Sequence, residues 1–589
     1  VQLGILDLSI LFAFFVAMIA IGVAVSRRAA AGTSEYFLGG NRMPWWLLSL
    51  SNAASMFDMS GTMWLCYVLF AYGLKSVFIP WLWPVFNQIF LMVYLSAWVR
   101  RSGALTGGEW ISLRFGRGVG AELARASVIV FALASVIGFT SYAFVGIGKF
   151  AAVFLPPALS PSTYGVIIVG ATTLYTALGG MYSVVLTDVV QFVIVTAVSF
   201  AIGAIAMATM PPDRIAAAVP AGWKQLSFGW HLGIDWSALR PGVATQVASD
   251  GYGLFAALFG MMLFKGIWVS AAGPAPNYDM QRILAARTPR EASLMSALVS
   301  VVLFFPRYIL VAGIVLLALA VAPSAGGVDF EQLLPVVIRD AVPSGLSGLL
   351  IAGLLAAFMS NFASTVNAGS AYVVHDVFRR YVRPNASPRA LVVASYAAAL
   401  GIVVVGSAIG CYLTSLNSLV MWIVSALWGG YAAPNVLKWH WWRMTGHGYF
   451  WGMSAGIVGA LALATLPLSP LEAFPALFAL SALATIVASL LTAPPDGDQL
   501  LAFYVRTRPW GLWGPIRARA AREVAGFSPP SFRRDAVNVA VGIVWQTALV
   551  ALPIYLVLRD IAGIAAALAI AAATTLFLKK SWFDRLEKT

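Results

Sequence analysis

The feature that most limits what this chain can fold into is its succession of long apolar runs. They lie near 4–26, 45–72, 76–98, 121–155, 163–180, 186–209, 252–275, 293–322, 346–378, 390–409, 413–436, 448–467, 473–492, 537–557 and 561–578. A helix needs about 20 apolar residues to cross a bilayer, and in lipid every backbone polar group must be satisfied inside its own segment. Of the 589 residues, 60% are hydrophobic and only 10% charged, whereas a soluble domain is roughly one quarter charged. The sequence therefore predicts an all-α polytopic membrane protein with about fifteen spans. The first run is long enough to cross and has no basic stretch before it, so it reads as a span and not a cleaved signal.

The net charge of +14 raises the question of a nucleic-acid partner. The basic residues answer it, because they sit in short clusters between apolar runs and form no continuous stripe. With the N-terminus outside, the inside loops hold 27 of the 37 Lys and Arg, the outside loops hold 6, and Arg125, Lys149, Lys265 and Arg307 fall within spans. That asymmetry predicts an outside N-terminus and a cytoplasmic C-terminus in a cell (inner or plasma) membrane. The two cysteines, Cys66 and Cys411, lie in apolar spans without metal-ligand spacing. Four histidines, no HExxH pattern and no Walker A sequence argue against a membrane enzyme.

Parity organises the spans. After an N-terminal helix and loop (1–44), residues 45–209 hold five spans and residues 252–437 another five. Five is odd, so the second group enters the membrane from the opposite side, as an inverted-topology repeat requires. Residues 448–492 add two helices, 493–536 form a basic linker rich in Trp and Pro, and 537–589 hold two further helices and a tail. The linker is expected to lie on the membrane surface, drawn to anionic lipids. The last two helices are expected to serve as scaffold or lipid packing. The outside segment 210–251 is long enough for a short helix over the entrance.

Three polar constellations interrupt the apolar runs. "SNAASMFDMSGTMW" (51–64) places Asp58 in a span, where an ionised carboxylate costs roughly 2.5–3.5 kcal/mol even on the most lenient scale. Beside Ser60 and Gly61 it reads as a helix break, whose freed carbonyls suit a small hard cation. The matching span of the second repeat holds Gly260, Gly266 and "GPAPN". Ser360 and Ser364, with Asn361 beside them, occupy a helical stripe that serves either an ion or close helix packing. Asp188 reads either as an ion ligand or as a helix-start carboxylate. Lys265, mid-span in "MMLFKGIWV", either pairs with Asp58, holds a solute carboxylate, or snorkels to the interface.

Taken in order, "EYFLGGNRMPWW", "SMFDMSG", "TGGEWISLRFG", "LGGMYSVVLTDVVQ", "DMQRILAARTPREA" and "AAFMSNFAST" resemble the motifs of the solute:sodium symporter family over roughly residues 1–490. The resemblance implies a LeuT-type inverted repeat of five plus five helices and Na⁺-coupled uptake by alternating access. It implies a main Na⁺ site at the carbonyls of Met56, Met59 and Ala357 with the side chains of Ser360 and Asn361. The family usually has two hydroxyl residues at the last two positions; Asn361 still offers a carbonyl oxygen. A second Na⁺ site would use Asp188, Ser360 and Ser364, with Ala363 where a serine is expected, so one Na⁺ per cycle is the expectation. Asp58, Ser60, Gly61, Trp64, Lys265 and Trp268 are the solute and coupling candidates. The expected partners are a small-molecule solute and membrane lipids, and nothing in the sequence specifies an oligomeric state. "SMFDMSG" is most similar to the sodium/proline branch, so a proline-like amino acid is the expected solute. A sugar or polyol, or an organic carboxylate, is the alternative within transport; a transporter-derived sensor or channel is the alternative outside it.

Overall fold

The structure, a computed structural model, describes residues 3–29, 43–104, 107–155, 159–176, 180–274, 278–321, 330–413, 416, 428–463 and 470–587. Most of the motif at 35–46, the "APN" of "GPAPN" and most of the expected span 413–436 lie outside the described residues.

Along the chain α1 (Ile5–Ala29) is followed by two half-helices, α2 (Trp45–Met56) and α3 (Met59–Tyr72). Next come α4 (87–102, with a π turn at Leu91–Leu95), α5 (Gly107–Phe115), α6 (Val119–Phe154), α7 (Pro161–Thr176) and α8 (Gly180–Thr209). Two short helices, α9 (Pro212–Ala218) and α10 (Pro241–Ser249), lead to α11 (Phe255–Ala271) and α12 (Tyr278–Ala285). The chain continues as α13 (Pro289–Val321), α14 (Leu333–Ala341), α15 (Leu346–Ala371, extended by a π turn at Tyr372–Val382), α16 (Pro388–Tyr412) and α17 (Trp428–His440). It ends with α18 (Gly446–Leu463), α19 (Pro470–Leu491), α20 (Gly497–Thr507), α21 (Gly514–Glu523), α22 (Phe532–Leu558) and α23 (Ile561–Ser581).

Among the described residues, eight helices are long and apolar enough to cross a membrane. Other expected spans are interrupted, shorter, or run into residues outside the described set. The broken pair α2–α3 packs between α8, α13 and α15, and α6 closes the bundle against α15 and α16.

Segment 210–251, expected to carry a short helix over the entrance, holds two and clamps the end of α3. Trp223 and Trp236 donate their indole N–H groups to the carbonyls of Phe70 (2.9 Å) and Ala71 (2.8 Å). Gly73 needs its positive φ of 56° here, because a Cβ would lie 2.0 Å from the Trp223 carbonyl oxygen. Asp250 accepts from the hydroxyls of Tyr67 and Tyr72 and from Gln246. Burial holds its carboxyl above the usual carboxylate range, against the lowering effect of those bonds.

Several aromatic residues of the 493–536 linker are folded onto protein at the end of the bundle that carries the basic loops, while Phe532 is exposed. Trp513 is 1% exposed and donates to the Trp439 carbonyl at 2.8 Å, and Trp510 stacks on His440. The nucleus is Arg114, fully buried, which donates to the carbonyls of Lys438, Trp441 and Trp442 and lies against the rings of Phe115, Phe503 and Trp513. Arg114→Leu leaves three part-buried carbonyls without their donor, at up to about 1–3 kcal/mol each. Limited trypsinolysis is expected to cut the 493–536 linker of this variant at least tenfold faster than that of the parent.

Candidate solute and ion site

The site is built on the break between α2 and α3. Phe57 (φ −78°, ψ 49°) ends α2, and Asp58 (φ −68°, ψ 148°) caps α3. Its carboxylate accepts from the Gly61 N–H, and its own carbonyl accepts from the Thr62 hydroxyl at 2.7 Å. An aspartate in this place therefore satisfies an orphan donor of a half-helix at membrane depth.

The counter-charge is Arg307, from the middle of α13. Its Nη2 lies 3.9 Å from Asp58 Oδ2, and its Nη1 donates to the Met56 carbonyl at 2.9 Å. One guanidinium thus bridges both lips of the break. The Tyr142 hydroxyl of α6 approaches the same carboxylate at 3.4 Å. Gly61 leaves room for this pair: a Cβ there would lie 2.7 Å from both Asp58 oxygens and 2.9 Å from Arg307 Nη2, so either side chain would have to shift. The unwound turn expected at Gly61 is instead the first turn of α3.

Beside the break is a cavity of about 220 Å³, lined by Asp58, Gly61, Trp64, Tyr142, Arg307, Tyr308, Asn361 and Thr365 among others. Trp64 stands where a solute-wall residue was expected. Ser60 does not: it is 3% exposed and packs on Gly146 of α6, where any Cβ would collide with its hydroxyl. Trp268 also departs, packing tilted against Phe478 of α19 with ring centroids 5.1 Å apart and lining no part of the cavity. Lys265 neither pairs with Asp58 nor snorkels. It is fully buried beneath the Phe474 ring, 5.2 Å from its centroid, and Arg307 holds the place expected of it.

Two of the expected main ion ligands, Ser360 and Asn361, meet the end of α2 at the same break. Ser360 and Ser55 share a hydroxyl–hydroxyl bond of 2.9 Å, and Asn361 Nδ2 donates to the Ser55 carbonyl at 2.8 Å. Met59 and Ala357 are buried alongside. The Met56 carbonyl already accepts from Arg307, but a carbonyl has a second lone pair for a cation.

Around Asp188 the arrangement differs from the expected second ion site. Arg282 of α12, 1% exposed, enters the cluster as a fixed cation. Its Nη2 lies 3.2 Å from Asp188 Oδ2, 2.7 Å from Ser55 Oγ and 3.3 Å from Ser364 Oγ. Its Nε donates to Ser51 Oγ at 3.0 Å, and Ser51 in turn donates to Asp188 at 2.5 Å.

Sequence reasoning missed Arg307 and Arg282. Arg307 carried a usable signal, since an ionisable residue inside a span is a functional candidate by default. Arg282 carried a weaker one, because it falls in a loop region where positive charge is ordinary.

A sequence model described as the sodium:solute symporter family matches residues 36–456. A sodium/mannose cotransporter of Bos taurus is 26% identical over 567 residues, covering 85% of this chain and 89% of that protein. A sodium/glucose cotransporter of Danio rerio is 25% identical over 499 residues, covering 77% of this chain and 70% of that one. Among solved structures, a Na⁺-coupled sialic acid symporter in a substrate-bound outward-open state superposes with a TM-score of 0.64 at 18% identity, covering 84% of this chain and 99% of that one. That likeness speaks for the fold, the LeuT-type arrangement expected from the sequence.

Proposed function

The chain belongs to the sodium:solute symporter family, and from that premise we propose that it is a Na⁺-coupled symporter importing a small sugar or polyol by alternating access. The observation that carries the solute class is the cavity lining. Besides the pair of Asp58 and Arg307 and the buried carboxylate of Asp279, it presents neutral amides and hydroxyls: Asn87, Asn361, Gln546, Ser135, Thr365 and Tyr308. Such groups suit a polyhydroxy solute, and Trp64 and Trp81 supply apolar faces against which a sugar ring can lie. A volume of about 220 Å³ lies below the roughly 300–1,000 Å³ of sites for drug-sized ligands, in keeping with a small solute. The sugar-cotransporter relatives support the same reading over the proline-like amino acid expected from "SMFDMSG".

Na⁺ is proposed to bind at Met56, Met59, Ala357, Ser360 and Asn361. Arg282 stands beside Asp188 and Ser364 where a second Na⁺ would bind, which supports one Na⁺ per cycle. One Na⁺ moving down ~100 mV and a ~10-fold gradient supplies about 3.7 kcal/mol, or roughly 500-fold accumulation of a neutral solute. The proposed orientation puts the N-terminus outside and the C-terminus in the cytoplasm, following the basic loops.

Asn361 gives a direct check on the ion site. Its amide N–H₂ now occupies the Ser55 carbonyl. Asn361→Ser restores the two-hydroxyl pattern and frees that oxygen. The Na⁺ concentration giving half-maximal uptake is expected to fall about 3- to 10-fold, corresponding to about 0.7–1.4 kcal/mol. The whole reading is tested by uptake of radiolabelled D-glucose, D-mannose, myo-inositol and L-proline into K⁺-loaded proteoliposomes diluted into Na⁺ or into K⁺ buffer. Accumulation of L-proline alone would sink the proposed solute class.

A further inference from the structure

We infer that α22, one of the two C-terminal helices beyond the family match, is a wall of the solute cavity, and that its Gln546 accepts a hydrogen bond from a solute hydroxyl. The second half of this inference rests on the polyhydroxy-solute reading; the first half does not.

Gln546 lies near the middle of a transmembrane-length helix, where an uncompensated amide is costly. With Thr547 and Val550 it forms one strip of α22 facing the cavity that holds Asp58 and Arg307. The side chain is 2% exposed. Its Nε2 donates at 2.9 Å to the carbonyl of Val85, in the turn that precedes α4. A carbonyl accepts only, so this bond fixes the amide's orientation and leaves Oε1 as the free end.

Oε1 is buried and has no hydrogen-bond partner among the described residues. The same is true of Oδ1 of Asn87, at the start of α4, a residue 7% exposed that lines the same cavity. Two buried acceptors on residues that line one space need donors. Solute hydroxyls supply such donors without adding a charge to the three groups already lining the space, Asp58, Asp279 and Arg307. The last helices, expected to be scaffold or lipid packing, thus supply part of the recognition surface.

The test uses the full chain in a Cys66→Ser/Cys411→Ser background. The thiol of Gln546→Cys is expected to react with neutral, polar 2-hydroxyethyl methanethiosulfonate within about tenfold of the rate at Thr365→Cys, a second cavity position. Reaction at or below the rate of Val544→Cys, on the exposed side of α22, would overturn the wall assignment whatever the solute proves to be. The second arm compares D-glucose, D-mannose and myo-inositol with their monodeoxy analogues in Gln546→Met. For the transported parent solute the KM is expected to rise about tenfold or more. For the one analogue lacking the contacted hydroxyl it is expected to stay unchanged, with Na⁺ dependence unaltered; loss of the bond to the Val85 carbonyl lowers the solute-free Tm in either case. An equal KM rise for parent and all analogues would assign Gln546 to clamping the Val85 turn alone and overturn the hydroxyl contact. Transport of none of these sugars would fail the proposed solute class and the hydroxyl contact with it, while the labelling arm still decides the wall.

Discussion

Arg307→Leu is expected to abolish Na⁺-driven uptake, by 100-fold or more, and to lower thermal stability. The guanidinium holds the break together from both sides, through the Met56 carbonyl at 2.9 Å and the Asp58 carboxylate at 3.9 Å. The two side chains are only 12% and 24% exposed, and removing one partner of a largely buried pair costs about 3–5 kcal/mol because it strands the other charge. Asp58→Asn separates charge from cap, since Asn caps a helix about as well as Asp. It is expected to lose uptake too, now by stranding Arg307. The double variant Asp58→Asn/Arg307→Gln strands neither charge and is expected to regain most of the lost stability without regaining transport. Uptake in proteoliposomes and unfolding in detergent read the two effects separately. Parent-level transport by Arg307→Leu would remove the pair from the mechanism.

Arg282→Gln should produce the second large effect and an unusual one. Asp188, fully buried, would lose the cation 3.2 Å away, and Ser51, Ser55 and Ser364 would lose a shared donor. In Na⁺-free buffer the variant is expected to lose about 3–5 kcal/mol. A cavity with a bare carboxylate and three hydroxyls is then an oxygen-lined cation site. Na⁺ at 100 times its Kd would return about 2.7 kcal/mol, so Na⁺ should stabilise this variant more than it stabilises the parent. The Na⁺ dependence of any residual uptake should steepen from a Hill slope near one towards two. If Na⁺ protects Arg282→Gln no better than K⁺ does, Arg282 is not standing in for an ion. Asp188→Asn combined with Arg282→Gln should remove the Na⁺-specific protection.

Much of this architecture was legible in the sequence, and specific residues show where legibility stopped. The break was readable because Asp58 and Gly61 are costly inside a span unless a helix starts there, and both serve that start. Trp64 was readable for its proximity to the break. Lys265 and Arg307 show the limit: each is a cation in mid-span, and hydropathy charges both alike. Only tertiary packing turns Arg307 to the cavity and Lys265 under Phe474. Ser60 and Trp268 lie on helices apolar all round, where spacing carries little information about which face meets a cavity and which meets a neighbour. Arg282 was counted among the basic residues of an inside loop. It is α12, turned against α15, that carries its guanidinium inward to Asp188. The linker's protein contacts were not legible from composition, since Trp and Arg suit a lipid interface and a cation–π core equally, and Arg114 with Trp513 makes such a core.

Charge movement by proteoliposomes adsorbed on a solid-supported membrane tests the central claim most directly. D-glucose, D-mannose, myo-inositol and L-proline would each be applied in Na⁺ and in K⁺. The account predicts an inward current evoked by at least one polyhydroxy solute in Na⁺, absent in K⁺ and lost in Asp58→Asn. A current evoked only by L-proline, a solute-evoked current of equal size in K⁺, or a steady Na⁺ conductance with no solute would contradict it.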